Sequence, residues 1–330
     1  MSPPNTMLAA VLTEANGAFE IRQLPTPVPA AGQVLVRIHA SGVNPLDTKI
    51  RSGVAVHARQ PLPAVLGMDL SGVVAAVGDG MTDFQVGDEV YGMATGIGGL
   101  QGSQAEYAAV DADFLALKPH NLSFVQAAAL PLSIITAWEG LVDHARIAEG
   151  QTVLVQGGAG GVGHVATQIA AAHGAQVFAT VSPADFDLIK SYGATHIDRN
   201  LPVADLVAKF SGGEGFDIVY DTVGGALIDT AFESVKLRGH VTSALGREAH
   251  NLAPLSLRGA TYSAVFTLLP LLTGKGRRHH GDILRAAAKL ADAGKLTPRM
   301  SAQTYTLSTL ADAHEAVKSG TAKGKVVITI

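Results

Sequence analysis

Residues 157–163 read GGAGGVG, and within them Gly158, Gly160 and Gly163 keep the spacing G-x-G-x-x-G. Each glycine of that pattern has a mechanical task in a nucleotide site. One permits a tight turn after a strand, the next lets the main chain approach a pyrophosphate, and the third lets helix and strand pack closely. Gly161 and Val162 complete the loop. The apolar run TVLVQ precedes it and the alanine-rich GHVATQIAAAHG follows, so a phosphate here meets the positive end of a helix dipole and its unpaired N–H groups. The chemistry predicted is dinucleotide binding; the competing reading is a packing turn with no ligand. In nucleotide sites of this kind an Asp or Glu about 20 residues further on binds the ribose 2′-hydroxyl and repels a 2′-phosphate. Thr180 and Ser182 stand at that place instead, in VFATVS. Small hydroxyls accept a 2′-phosphate, which favours NADP(H), although both also suit the cap of a following helix.

The elements that must carry this loop are legible around it. Before residue 120 the chain reads as strands and turns: QVLVRIHASGV alternates, DLSGVVAAVGDG is a β-rich run ended by a glycine turn, and FQVGDEVYGM has the spacing of a hairpin. Alternation with frequent glycine and proline predicts a β-rich, partly barrel-like domain. From residue 124 the period changes. SFVQAAALPLSIITAWEGLVDHA has Ser123 as a helix N-cap and an interruption at Pro131. Strand-then-helix units follow: TVLVQG with GHVATQIAAAHG, QVFATV with ADFDLIKSYG, HIDRN with VADLVAKFSG, and FDIVYDTVGG with LIDTAFESVK, before a last strand GHVTSALG. Short buried strands alternating with helices predict a doubly wound parallel sheet. Beyond residue 265 the chain is mostly helical, broken by the basic loop GKGRRHHG, and its tail GKVVITI reads as a strand that returns to the first domain. The expected organisation is an α/β protein in which a Rossmann domain, 125–266, is inserted into a β-rich domain made of 1–124 and 267–330.

Composition narrows the function classes. The 330 residues are 47% hydrophobic, enough for two buried cores, and the net charge of −4 is scattered, which argues against a nucleic-acid or membrane partner. No apolar run reaches the roughly 20 residues of a membrane span, and the opening MSPPNTMLAAVLTEANG lacks the layout of a secretory signal. Cysteine is absent, which removes disulfides, thiolate nucleophiles and thiolate metal ligands and fits a reducing, cytoplasmic compartment.

GVNPLDTKIRSG, LGMDLSGVV, VGDEVYG, GSQAEYAAV, GGAGGVG and AHEAVKSGTAKGKVVI, in that order, resemble the zinc-independent quinone oxidoreductases of the medium-chain dehydrogenase/reductase superfamily. The resemblance spans nearly the whole chain. It implies a GroES-like catalytic domain around an inserted Rossmann domain, NADPH as hydride donor with NADH as the other possibility, a small electrophile (a quinone or an enone) as acceptor, and a homodimer. Zinc alcohol dehydrogenases, also similar, carry Cys where this chain has Asn44, Gly-His-Glu where it has Gly67-Met68-Asp69, and a third ligand near Leu132. No such ligand set is present, so the resemblance implies no metal; the histidines, including the adjacent pair His279-His280, keep only a weak metal alternative.

Without a Lewis acid, hydride delivery to an electrophile already polarised by conjugation remains feasible, given orientation, a dry pocket and hydrogen bonds to the oxygen that gains charge. By resemblance, Asn44 and Thr136 lie near the nicotinamide and substrate, and Lys49 is a proton-donating or electrostatic group if it faces inward. Asn44-Pro45 as a simple turn and Lys49 as a solvated side chain are the plainer readings. NADPH-using relatives place a lysine where this chain has Asp185 and often a tyrosine where it has Arg199, so Arg199 becomes the candidate 2′-phosphate cation. Val223 is carried over to the adenosine ribose, and Leu245 and Phe266 to the nicotinamide half, against the alternative that all three are core. YSAVFTL resembles a dimer-forming edge strand. GKGRRHHG could grip an acyl-CoA phosphate, which would make the enzyme an enoyl-thioester reductase, but a solvated surface loop is the commoner meaning of such a run. Asp217 and Asp221 mimic a catalytic pair but suit strand ends and turn caps better. A non-catalytic NADPH-binding protein is the alternative from another class.

Overall fold

Alternating apolar residues and glycine turns in the first third of the chain give β1 (Thr6–Leu12), β2 (Phe19–Pro25), β3 (Gln33–Val43), α1 (Pro45–Arg51), β4 (Ala64–Val65), β5 (Asp69–Val77), β6 (Glu89–Met93), β7 (Tyr107–Asp111) and β8 (Leu115–Leu117). This is a computed structural model that describes residues 3–246 and 248–330; Met1 and Ser2 of the expected 1–124 segment lie outside the described residues. Two helices follow, α2 (Phe124–Ala128) and α3 (Pro131–Trp138). The Ser123 hydroxyl accepts the Gln126 N–H at 3.2 Å while the Gln126 side chain accepts the Ser123 N–H at 3.0 Å, a reciprocal cap. Pro131, which has no N–H to give, opens α3 instead of continuing α2.

Strands and helices then alternate: β9 (Thr152–Gln156), α4 (Gly163–Ala172), β10 (Gln176–Val181), α5 (Phe186–Ser191), β11 (Thr195–Asp198), α6 (Val203–Ser211), β12 (Phe216–Asp221), α7 (Ala226–Ser234), β13 (Val235–Ser243), α8 (Ala253–Arg258) and β14 (Thr261–Ala264). The chain ends with α9 (Leu269–Thr273), α10 (Arg277–Asp292), β15 (Tyr305–Thr306), α11 (Leu310–Lys318) and β16 (Val326–Thr329).

The chain divides into two compact units. The first contains the chain up to Leu132 with Leu268–Ala293 and Pro298–Ile330; the second contains Ser133–Thr267 and Gly294–Thr297. In the first unit, one sheet runs β15-β16-β3-β5-β6-β8 with β7 also on β3, and a smaller one runs β2-β1-β4. The tail strand β16 pairs antiparallel with β3, Val326 opposite Val43. FQVGDEVYGM is not itself a hairpin. The Asp88 carboxylate accepts the Gln85 N–H at 2.9 Å and closes a turn, from which the single strand β6 runs back along β5.

In the second unit all strand pairs are parallel, in the order β11-β10-β9-β12-β13-β14. That is the doubly wound order, with the switch point between β9 and β12. The middles of β9, β10 and β12 are apolar, and their Leu154, Phe178, Phe216 and Val219 are buried in one cluster with Phe232 of α7. Fold class and family architecture thus agree with the reading of the chain: a GroES-like β unit and a Rossmann unit.

Candidate active site

The glycine loop lies between β9 and α4. Its turn residue is Gly157, whose φ of +73° a side chain would resist, so the tight turn falls one residue before the G-x-G-x-x-G pattern. Gly158 and Gly163 serve packing. A Cβ at Gly163 would lie 2.0 Å from the Gly157 carbonyl oxygen, and one at Gly158 would lie 2.5 Å from the Ala179 Cβ. Gly160 and Gly161 are exposed, and a Cβ at Gly160 would meet only the Gly157 carbonyl, at 3.1 Å. The N–H groups of Gly161, Val162 and Gly163 donate to no protein group among the described residues. A bare glycine face beside orphan amides at the start of a ten-residue helix suits a pyrophosphate.

The other expected cofactor residues collect on the same edge of the sheet, each at or just beyond the C-terminal end of a strand: Thr180 and Ser182 at β10, Arg199 after β11, Val223 after β12, Leu245 after β13 and Phe266 after β14. The Thr180 hydroxyl accepts the Gly157 N–H at 3.1 Å, which locks β10 against the loop. The Ser182 hydroxyl donates to the Asp185 carboxylate at 2.9 Å, which ties that acid to the end of β10. Arg199 is exposed and its N–H donates to Val181 O, which fixes its main chain at the end of β10. Val223, Leu245 and Phe266 are 46%, 39% and 40% exposed, so they form no part of the core and offer apolar surface at the strand ends. Asp221 holds this edge in shape: its carboxylate accepts the N–H groups of Val223 and Gly224 and the Ser243 hydroxyl, at 2.7–3.1 Å. Asp217 sits at the opposite end of β12 and accepts from Thr152, so the two acids are strand clamps and no pair.

Thr136 lies on α3 and is buried. The Tyr220 phenol donates to the Thr136 carbonyl at 2.6 Å where the helix widens into a π-turn over Glu139–His144, and Gly140 leaves room for the Tyr220 ring.

In the first unit, Asn44 and Lys49 begin and punctuate α1. Lys49 is exposed. Asn44 is fully buried and its amide is committed to the protein: Nδ2 donates to Asp69 Oδ2 at 2.9 Å and Oδ1 accepts from Lys325 Nζ at 2.5 Å. The Asp47 carboxylate accepts the Asn44 N–H at 2.7 Å, and Asp69 Oδ1 accepts the Leu132 N–H at 2.9 Å. Burial, opposed by the Asn44 N–H, pushes Asp47 up to about 7. Burial also pushes Asp69 up, to about 6, against the pull of Lys325 and Asn44, and it lowers Lys325. Asp47 and Lys325 were no part of the expected site. Both lie within stretches quoted above, GVNPLDTKIRSG and AHEAVKSGTAKGKVVI, but nothing local marks them as partners of Asn44. An ammonium against Asn44 Oδ1 repels a divalent cation, and neither Met68 nor Leu132 supplies a zinc ligand. Among the described residues no group of three or more His, Asp or Glu side chains could hold a metal.

The basic segment differs from expectation. Arg277–His280 form the first turn of α10, not a loop. Arg277 pairs with Asp111, and Arg278 lies 3.2 Å from Asp83 and 3.5 Å from Asp113. Acids thus pair with both arginines of the segment that could have gripped an acyl-CoA phosphate.

A parallel sheet in this order, a glycine loop before its first crossover helix and a β unit completed by the C-terminal strand define a nicotinamide-dinucleotide dehydrogenase or reductase fold. The alcohol dehydrogenase GroES-like domain family matches residues 30–120, and the zinc-binding dehydrogenase family matches residues 192–328. The chain is 34% identical over 339 residues to NADPH-dependent alkenal/one oxidoreductase, chloroplastic, of Arabidopsis thaliana, covering 99% of this chain and 80% of that one. It is 31% identical over 340 residues to human quinone oxidoreductase, covering all of both chains. The crystal structure of an alcohol dehydrogenase superfamily protein from Novosphingobium aromaticivorans superposes with a TM-score of 0.97 at 54% identity, covering 98% of this chain and 100% of the other. The chain belongs to the zinc-independent, quinone oxidoreductase-like branch of the medium-chain dehydrogenase/reductase superfamily.

Proposed function

We propose that the protein is a metal-free, NADPH-dependent reductase of quinones or α,β-unsaturated carbonyls. The observation that carries this reading is the Lys325–Asn44–Asp69 array, an internal ion cluster at the place where zinc-using members hold their ligands. A site so built cannot ionise an alcohol through a metal, and it suits an acceptor that conjugation has already polarised. The names of the Arabidopsis and human relatives point the same way.

When bound, the nicotinamide dinucleotide supplies the hydride. The amides of residues 161–163 hold the pyrophosphate, and the exposed Val223, Leu245 and Phe266 pack against its apolar faces and keep water from them. Thr136, with its carbonyl tied to Tyr220, orients the reacting end. Lys49 offers an ammonium to the acceptor oxygen that gains charge. Arg199 favours the 2′-phosphate of NADPH while Asp185 opposes it, so NADH is used less well but is not refused. The enoyl-thioester alternative loses its main support because Arg277 and Arg278 are already paired. A homodimer joined at β14, an edge strand of the sheet, and a cytoplasmic location complete the reading. No helix among the described residues is long and apolar enough to cross a membrane.

The test is oxidation of NADPH, followed by absorbance, with quinones, 2-alkenals and enoyl-CoA esters, in the presence and absence of a strong chelator. Turnover of quinones or alkenals that the chelator leaves untouched is expected. No turnover with either class refutes the proposal.

A further inference from the structure

Asn44 looks from sequence like a residue that touches the substrate, yet its side chain is wholly inside the first unit. What it does there is set by charge. Its carbonyl faces the Lys325 ammonium at 2.5 Å and its NH₂ faces the Asp69 carboxylate at 2.9 Å. Exchanging the two ends would set donor against donor and acceptor against acceptor, so this orientation is the only one the neighbours permit. Asn44 also precedes α1, and the Asp47 carboxylate holds its N–H at 2.7 Å. The residue that caps this helix is therefore gripped at both side-chain polar atoms and at the main chain. The second oxygen of Asp69 takes the Leu132 N–H at the start of α3. One carboxylate thus sets the origin of two helices, α1 with Lys49 and α3 with Thr136. The cost of burying it is offset by Lys325, which lies just before the last strand and 281 residues from Asn44.

We propose that Asp69 and Lys325 are positioning residues for the reaction: bridged by the Asn44 amide, they fix the first turns of α1 and α3, and so the places from which Lys49 and Thr136 act. The charge cluster stands where metal-using members of the superfamily carry their ligands and takes over the metal's mechanical task of tying these segments together. This rests on the function proposed above for what Lys49 and Thr136 do, but not for the tie itself.

The experiment uses the full-length protein and two variants, Lys325→Met and the double variant Asp69→Asn/Lys325→Met, which removes both charges at once and carries the test if the single variant does not fold. Three quantities are read: kcat with a quinone or alkenal, the NADPH dissociation constant from nucleotide fluorescence, and amide hydrogen exchange over 44–52 and 132–138. The expected result is a kcat about 100-fold lower, the loss that follows a misplacement near 1 Å. Affinity for NADPH should stay within about twofold, and exchange should quicken about tenfold or more in the two named segments, as local opening does when its tethers are cut. Wild-type kcat and exchange in the double variant would overturn the proposal. So would a loss of NADPH affinity in step with kcat, which would mark a general structural role. If the wild-type protein reduces no acceptor, the function proposed above falls, and the exchange measurement still decides whether this cluster holds the two helices.

Discussion

Glycines 160 and 163 are three residues apart in one loop, yet alanine at the two should fail in different ways. At Gly163 an added Cβ would lie 2.0 Å from the Gly157 carbonyl, which is 1.4 Å inside the 3.4 Å of ordinary contact. Both atoms are main chain or fixed to it, so the loop and α4 must part by about that much. Overpacking of this kind costs about 1–3 kcal/mol. At Gly160 the Cβ would be 3.1 Å from the same oxygen, only 0.3 Å inside ordinary contact, on an exposed residue. Its fold should survive nearly unchanged, within about 0.5 kcal/mol, the range of ordinary surface substitutions. The methyl group would instead stand on the bare face where the pyrophosphate approaches. Losing that approach should cost about 1.4–2.8 kcal/mol of binding, a ten- to hundredfold rise in the NADPH dissociation constant. Thermal unfolding without nucleotide and fluorescence titration with NADPH separate the two: Gly163→Ala lowers Tm, whereas Gly160→Ala keeps Tm and loses affinity. Wild-type affinity in Gly160→Ala would refute the placement of the phosphate, and a wild-type Tm in Gly163→Ala would refute the close packing of α4 on the turn.

Two further outcomes follow from single charges. Arg199→Ala should lower the ratio of kcat/KM for NADPH over NADH about tenfold, and Asp185→Lys should raise it by a similar factor, since hydrogen bonds to charged groups are worth about 1.5–3 kcal/mol; an unchanged ratio in both would remove these residues from the ribose site. Burial, with Arg51 adding to it, holds His314 down at about 3 from 6.5. The folded state then binds this proton less readily than the unfolded state, so the stability it confers is complete above pH 6.5 and is lost as the pH falls toward 3. His314→Gln should flatten the acid limb of the Tm profile, and a difference from wild type that is the same at pH 4 and pH 7 would contradict this.

The parts of the molecule that local chemistry determines are the parts legible in its sequence. The Ser123 cap, the break at Pro131, the βα alternation and the glycine loop each depend on neighbours within a few residues. The cluster around Asn44 does not: its ammonium comes from 281 residues away, and no periodicity or motif announces that pairing. The arginines of α10 mislead for the same reason, because their acids, Asp111 and Asp83, lie 166 and 195 residues distant. Val223, Leu245 and Phe266 are ambiguous in the sequence for a local reason. Each follows an apolar strand, which leaves core as the alternative to a cofactor role, but the strand has ended and the side chain emerges at the sheet edge.

That edge also explains how specificity can change in such a molecule without loss of the fold. The buried lengths of β9, β10 and β12 carry the packing energy, and the glycines at 158 and 163 are fixed by close contacts, with the Ala179 Cβ and the Gly157 main chain respectively. Ser182, Arg199, Val223, Leu245 and Phe266 each come one or two residues after the end of a different strand of the sheet. Substituting any of them alters what the edge presents while removing little buried surface, so its effect falls on binding and hardly on stability. The Asn44 cluster is the opposite case. It is buried, charged and shared between two helices, and a change there moves stability and catalysis together, which is why both must be measured before a role is assigned to any one of its residues.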